Sequence, residues 1–380
     1  MRLLLLLILF NGGWAHAASP LAVETREFKG STERLEEVAA GQIKMPWIVA
    51  RDKNVATKIN DRLFIGQFGV LAPKLTRKYF TAEDGVVVEG LASQDFSISR
   101  NDDRVLTVAF ENEGCGAYCE SYRVFYSFDV KTGDTLAAED LFTQTGLINL
   151  HKQLHYARFS AYRKAVASLR NELKLAQKQR HANDRESLND LQERIELNSS
   201  CAGEGTHTDR TPRAAEIVAV AGFGYDKFEL AATEFRLTRE RCSNHGMRAL
   251  DEVGDYTLTL SYPALRPHLS SYGKTLLLNE GSAKLQASIY GQILRGNIGG
   301  SEITMLIVKG SDNSVAGHYF YEKYRKPIEV NGRVAGDQLE LTEAVAESSA
   351  EKSTLRLAIS GSRLSGIWKG KKELNVNLTR

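Results

Sequence analysis

The stretch "ENEGCGAYCESYRVFYSFDVKTGDTLAAEDLF", residues 111–142, decides the fold. Tyr122, Val124, Tyr126, Phe128 and Val130 alternate with the mostly polar Ser121, Arg123, Ser127 and Asp129, the period of a strand with one buried side. Lys131-Thr132-Gly133-Asp134 then supplies a turn, with glycine where a positive φ is wanted. Just upstream, "RVLTVAFE", residues 104–111, alternates too and enters the glycine-rich loop from the other side. The pattern predicts an antiparallel hairpin whose loop carries Cys115 and Cys119.

What those cysteines do depends on the compartment. The chain opens "MRLLLLLILFNGGWAHAASP": one positive residue, Arg2, an apolar run over residues 3–10, and Ala15-His16-Ala17 in the small-x-small form of a signal-peptidase site. Residues 1–17 are therefore expected to be a signal peptide, and the mature chain periplasmic or secreted. An apolar run this short cannot span a bilayer, which takes about 20 helical residues. No transmembrane segment is expected in the mature chain. In an oxidising compartment four cysteines read first as two disulfides. The expected pairing is Cys115 with Cys119 and Cys201 with Cys242. A redox pair would need Cys-x-x-Cys at a helix start. A structural zinc site would need four ligands, and Cys201 and Cys242 lack knuckle spacing.

Charge excludes more than it suggests. Lys plus Arg number 49 and Asp plus Glu 47, and loss of Arg2 leaves 48 against 47, a balance of +1. Nothing in it calls for nucleic acid or a membrane surface. A chain of 380 residues exceeds one ordinary core and suggests two domains. Within it, residues 151–180 are rich in Lys and Arg, lack Pro and Gly, and have helical composition. Leu147, Leu150, Leu154, Ala161, Ala165, Leu169 and Leu173 share a face; Lys152, Arg163, Arg170, Lys174 and Lys178 lie roughly opposite. A second helix, about residues 184–197, carries Leu188, Leu191 and Ile195. Such a hairpin presents a basic stripe, ordinarily a solvated face and otherwise a contact for an anionic envelope polymer or an acidic partner.

At this point a resemblance is visible. "VATKIN" (residues 55–60), "RVLTVAFE", "YSFDVKTGDTLAAEDLF" (126–142) and "YTLTLSYPALRPHLSSYG" (256–273) resemble, in that order, an extracytoplasmic domain family of largely unknown function. That family includes the lysozyme-binding sensor region of an anti-sigma factor and occurs beside peptidoglycan deacetylase domains. The likeness covers about residues 43–278, interrupted by the charged helices. Family members usually carry a Gly-Ala-His-Gly-like loop where this chain has Gly114-Cys115-Gly116-Ala117-Tyr118-Cys119. The histidine is absent, so no role attached to it transfers. Nor does the resemblance supply catalytic residues, because in the deacetylases the chemistry lies in a separate domain.

From Ser282 the texture becomes a series of short alternating segments separated by Gly, Asn, Asp and Ser. Ile328 and Val330, Leu339 and Leu341, Leu355, Leu357 and Ile359, and Leu374, Val376 and Leu378 each keep period two. Seven or eight antiparallel strands follow, closing into a small barrel or half barrel. The expected fold class is thus α+β: an antiparallel-sheet domain over residues 18–279 with a helical hairpin inserted at about 147–200, then an all-β meander or barrel over 280–380.

Motifs for chemistry are scarce. His151 and His155 stand one helical turn apart, but Lys152 occupies the place of a zinc-protease glutamate and no third ligand is evident. Glu139-Asp140 reads as a pair of capping acids before a helix. There is no Gly-x-Ser-x-Gly, and Gly222–Gly224 is too short for a phosphate loop. No catalytic residue, metal site or cofactor is expected. Tyr319 and Tyr321 share a strand face, opposite His318 and Phe320, and rings of this kind serve sugars as flat platforms. The expectation is an exported envelope protein that binds or senses a peptidoglycan-like glycan or a glycan-cleaving enzyme such as lysozyme. The alternative is an envelope hydrolase with a dispersed acidic site. Candidate contacts are Tyr118 and Tyr122 on the stapled loop, the stripe of Lys152, Arg163, Arg170 and Lys174, and the pair Tyr319 and Tyr321.

Overall fold

A computed structural model describes residues 21–30, 42–74, 77–88, 90–116, 118–178, 185–203, 226–286, 288–310, 312–344 and 353–380. The segment read as a signal peptide and the Gly222–Gly224 run lie outside the described residues. Strands β1 (Ala22–Phe28), β2 (Lys44–Val49) and β3 (Tyr79–Phe80) form a small sheet in the order β2-β1-β3. Helix α1 (Lys53–Phe68) starts at Asp52, whose side chain accepts from Asn54 N at 2.8 Å, and stops at Gly69. Strands β4 (Leu91–Asn101), β5 (Val105–Cys115) and β6 (Cys119–Asp129) form a second antiparallel sheet. Ile59, Leu63 and Phe64 of α1 meet Leu106, Phe110 and Phe128 of that sheet in one core, each fully buried. Each such side chain contributes roughly 1.5–3 kcal/mol by leaving water. The chain leaves β6 through Gly133 (φ 72°), whose amide donates to Asp129 O at 2.8 Å. That is the turn read at Lys131-Thr132-Gly133-Asp134.

The short helix α2 (Ala138–Leu141) leads into α3 (Gln144–Lys178), which runs antiparallel to α4 (Arg185–Cys201). Asp140 accepts from Ala137 N at 2.9 Å, the capping role read from Glu139-Asp140. Along α3 the buried face is Leu147, Leu150, Leu154, Tyr162, Val166 and Leu169. Ala161 and Ala165, read as core positions, are only partly buried. The larger Tyr162 and Val166 take the inward places one residue on, because Tyr162 packs with Cys201 and Ala202 under α4. Strands β7 (Lys227–Leu230), β8 (Glu234–Arg239) and β9 (Tyr256–Ser261) make a third antiparallel sheet. With α5 (Tyr262–Leu265) and α6 (Ser271–Leu278) it shares a second core containing Leu141, Leu150, Phe235, Leu237 and Leu265.

The last eight strands are β10 (Leu294–Ile298), β11 (Ser301–Lys309), β12 (Ser314–Tyr321), β13 (Pro327–Ala335), β14 (Gln338–Glu343), β15 (Thr354–Ser360), β16 (Arg363–Lys369) and β17 (Glu373–Thr379). Consecutive strands pair antiparallel, and β10 pairs with β17, so the barrel is closed. Closure removes the open edges at which sheets aggregate. At eight strands the interior is just wide enough to be filled by side chains. The residues read as alternating, Val330, Leu339, Leu341, Leu355, Leu357, Val376 and Leu378, are those that fill it.

The barrel is docked on the first core from outside. Ile65 and Leu71 pack with Ile293, Leu306 and Phe320. The buried Asp61 accepts from Arg295 at 2.7 Å and from Ala72 N at 3.1 Å. Burial pushes the Asp61 carboxyl up, against the pull of Arg295. Gln292 pairs with the backbone of Thr135 through both its oxygen (3.0 Å) and its nitrogen (2.8 Å).

Candidate functional site

Two sheets turn polar faces toward each other. In β7–β9, Phe228, Leu230, Phe235, Leu237, Leu258 and Leu260 face the second core. Alternation therefore puts Lys227, Glu229, Arg236, Thr238 and Thr257 on the other side. In β5 and β6, Leu106, Val108, Phe110, Tyr126 and Phe128 face the first core, leaving Glu111, Glu113, Ser121, Arg123 and Phe125 on the opposite face. β7 lies against β4, β5 and β6, and beyond that contact the two polar faces splay into a cleft of about 1040 Å³. All ten polar-face residues line it.

One end is closed by two disulfide-tied segments. Cys115 and Cys119 are bonded at paired positions where β5 turns into β6, and Cys115 N donates to Gly90 O at 2.7 Å. Cys242 is bonded to Cys201 at the end of α4. Both bridges are those expected. The segments meet at the tip: the Tyr118 ring stacks on His245 with centroids 3.8 Å apart and planes at 16°, and Glu120 pairs with Arg241. Beneath, Asp251 accepts from Tyr162 Oη (3.0 Å), Ser243 N (3.2 Å), Val253 N (3.1 Å) and Gly254 N (2.9 Å). Burial works to raise the Asp251 pKa, but these bonds hold it below the usual carboxylate range. Tyr162, buried beside that carboxylate, is pushed up to about 12. The wall behind Tyr118 is therefore tied by four donors on one carboxylate and by the Cys201–Cys242 bridge.

Six carboxylates line the cleft, and each has a donor. Glu111 pairs with Arg123 (3.5 Å), Glu120 with Arg241, Glu229 with Arg236 (3.2 Å) and Glu240 with Lys227 (2.5 Å). Glu113 accepts from the Ser93 hydroxyl (3.3 Å) and Asp255 from Arg241 N (2.8 Å). One way to make a general acid is to hold a carboxyl in an apolar surround away from cations, and none of these six is held so. The arrangement instead suits a ligand that presents many hydroxyl and amide groups. Among the described residues no group of three or more His, Cys, Asp or Glu is placed to hold a metal ion.

Two histidines on α3 lie outside the cleft. His151 Nδ1 is 3.1 Å from Asp226, which also takes both Arg239 contacts, at 2.7 and 2.8 Å. His155 packs edge-on against Phe159, and burial, then Arg239, lowers it to about 4.

Of the residues singled out in the sequence, Tyr118 and Tyr122 stand at the cleft, 55% and 42% exposed. Lys152, Arg163, Arg170 and Lys174 lie on α3 and do not line it. Lys152 is half-buried, the other three are exposed, and Arg170 donates to the Ser199 hydroxyl at 3.4 Å. Tyr319 points into the barrel, fully buried, and Tyr321 stands inside its mouth. The tyrosine face is thus an interior one, and Phe320 on the opposite face seals the contact with α1. Sequence reading missed Lys227, Arg236, Arg241 and His245, which reach the cleft from segments about a hundred residues beyond the β5–β6 hairpin. The alternation of β8 was the available signal.

No family model matches the chain, and none of the curated proteins does. Among solved structures, a member of the DUF3298 family from Bacteroides fragilis is similar at 11% identity and a TM-score of 0.36, over 70% of this chain and 100% of that one.

Proposed function

We propose that the protein is an exported cell-envelope binding or sensing protein, and that the cleft takes a peptidoglycan-like glycan. The observation that carries this reading is the pairing of two exposed tyrosines, Tyr118 and Tyr122, with a wide cleft lined by carboxylates that each already have a hydrogen-bond or ion-pair partner. Its volume reaches the top of the ~300–1,000 Å³ usual for small-ligand sites, which suits an oligosaccharide better than a single sugar. Aromatic faces supply the apolar side of sugar recognition, and carboxylate, guanidinium and hydroxyl groups supply the polar side. The disulfides support an oxidising compartment. They also hold the tip in place, so a ligand meets a loop with little freedom left to lose.

A second reading has one observation in its favour. Met247, 38% exposed, follows His245, and with Tyr118 and Tyr122 it concentrates apolar surface at the tip. Such a knob suits a protein ligand, a glycan-cleaving enzyme such as lysozyme.

Titration of the protein with soluble muropeptide oligosaccharides, and separately with lysozyme, tests both. Saturable glycan binding that weakens in Tyr118→Ala supports the first reading; lysozyme binding alone supports the second. Turnover of the glycan, abolished by one carboxylate substitution in the cleft, would establish a hydrolase instead.

A further inference from the structure

Aliphatic side chains fill the barrel except at one end. There Glu343, the next inward position after Leu339 and Leu341 on β14, turns a carboxylate into the lumen. One of its oxygens, Oε1, accepts both from the Tyr319 hydroxyl and from Trp368 Nε1, each at 2.6 Å. Among the described residues no Lys, Arg or His lies within 4.0 Å of it. Two neutral donors on one oxygen thus hold this half-buried carboxylate in place of a cation.

Its surroundings are aromatic. Tyr321 stands edge-on to Tyr319 (5.6 Å, 71°) and to Tyr324 (6.5 Å, 81°). Trp368 is held over Gly370, where a Cβ would come within 2.4 Å of the indole. The ring cluster already carries one ammonium of the chain itself, Lys323 Nζ, 5.3 Å from the Tyr324 centroid. Burial, then the Glu343 contact, pushes the Tyr319 phenol up, so it remains a donor across the physiological range. Nearby cations are engaged elsewhere, Arg325 with Glu322 (2.8 Å) and Lys369 with Glu373 (3.7 Å).

We propose that this mouth is a second binding site, independent of the cleft, for a primary ammonium group on a small polar molecule. Glu343 is the counter-ion, and Tyr321 and Trp368 are the walls. Carboxylate plus ring faces is the arrangement that attracts a partly desolvated cation. The exposed Lys371 and Lys372 on the adjoining turn repel any cation and a polycation most, so a single positive charge is penalised least.

The test follows the Trp368 indole N–H by NMR in the full chain, with Trp14→Phe and Trp47→Phe used to assign it. Glucosamine at mildly acidic pH is the probe, and N-acetylglucosamine is its uncharged counterpart. The expected result is a saturable shift with glucosamine, about tenfold weaker binding of the acetylated sugar, and loss of the effect in Glu343→Gln. That variant keeps an acceptor for Tyr319 and Trp368. Should it fail to fold, Tyr321→Leu leaves both bonds to Glu343 in place and should weaken binding roughly threefold. Equal binding of the two sugars, no shift at millimolar glucosamine, or an unchanged response in the folded Glu343→Gln variant overturns the proposal.

Discussion

Tyr118 contributes a ring already stacked on His245, so its removal takes away a platform rather than a support of the core. Tyr118→Ala with Tyr122→Ala should weaken oligosaccharide binding by about tenfold, or roughly 1.4 kcal/mol. The thermal midpoint should stay within a degree or two, because neither ring is buried. A scanning-calorimetry trace beside the binding curve checks both halves. Two other residues set opposing pH dependences. Burial raises Asp140 to about 6, so the folded state takes up a proton more readily than the unfolded one. Its contribution is greatest below about pH 4 and declines as pH rises to 6. Asp140→Asn keeps an acceptor for Ala137 N and should gain stability above pH 6, on the order of 1 kcal/mol. His155 is lowered to about 4, so its contribution is full above pH 6.5 and is lost as pH falls toward 4. His155→Gln should flatten that acid limb, and urea melts from pH 4 to 7 separate the two. Of these residues, Tyr118 was legible in sequence because it sits between two cysteines. His155 was legible only as a spacing, since its burial comes from Phe159 and from a sheet far along the chain.

The helices and strands were legible to different depths. Period-two alternation identified the inward residues of the barrel strands and one face of β6. Closure of the barrel depends on β10 pairing with β17, a contact across some eighty residues that no local pattern encodes. On α3 the expected inward positions held at Leu147, Leu150, Leu154 and Leu169, while tertiary packing of Tyr162 against α4 displaced Ala161 and Ala165. The disulfides were legible from compartment and count, and their consequences differ with loop length. The Cys201–Cys242 bridge closes 41 positions and should stabilise by about 4 kcal/mol in the loop-closure model, while Cys115–Cys119 closes 4 and should contribute far less. Equilibrium unfolding of Cys201→Ser/Cys242→Ser and Cys115→Ser/Cys119→Ser pairs measures this. Loss of the second pair should instead reduce ligand affinity, since it frees the hairpin tip that carries Tyr118.

At the scale of the molecule, the barrel is held to the first core by Phe320, Gln292 and the Asp61–Arg295 pair. Removing Arg295 leaves Asp61 buried without its cation, so Arg295→Ala should destabilise by about 3 kcal/mol. Asp61→Asn in that background should restore part of the loss. We propose a boundary between two units near residues 279–283; limited proteolysis should then cut there faster in Arg295→Ala than in the parent. The C-terminal all-β barrel was readable from the change of texture near Ser282. The docking was not, because Phe320 and Asp61 look in sequence like ordinary strand and helix positions. The central claim, that the cleft between the two sheets binds glycan without cleaving it, is tested most directly by backbone NMR mapping with a defined muropeptide oligosaccharide, followed by mass analysis of the recovered ligand. The account predicts shifts centred on Tyr118, Tyr122, Thr238 and His245, with the ligand recovered intact. Shifts confined to the basic face of α3, or a ligand recovered cleaved, would contradict it.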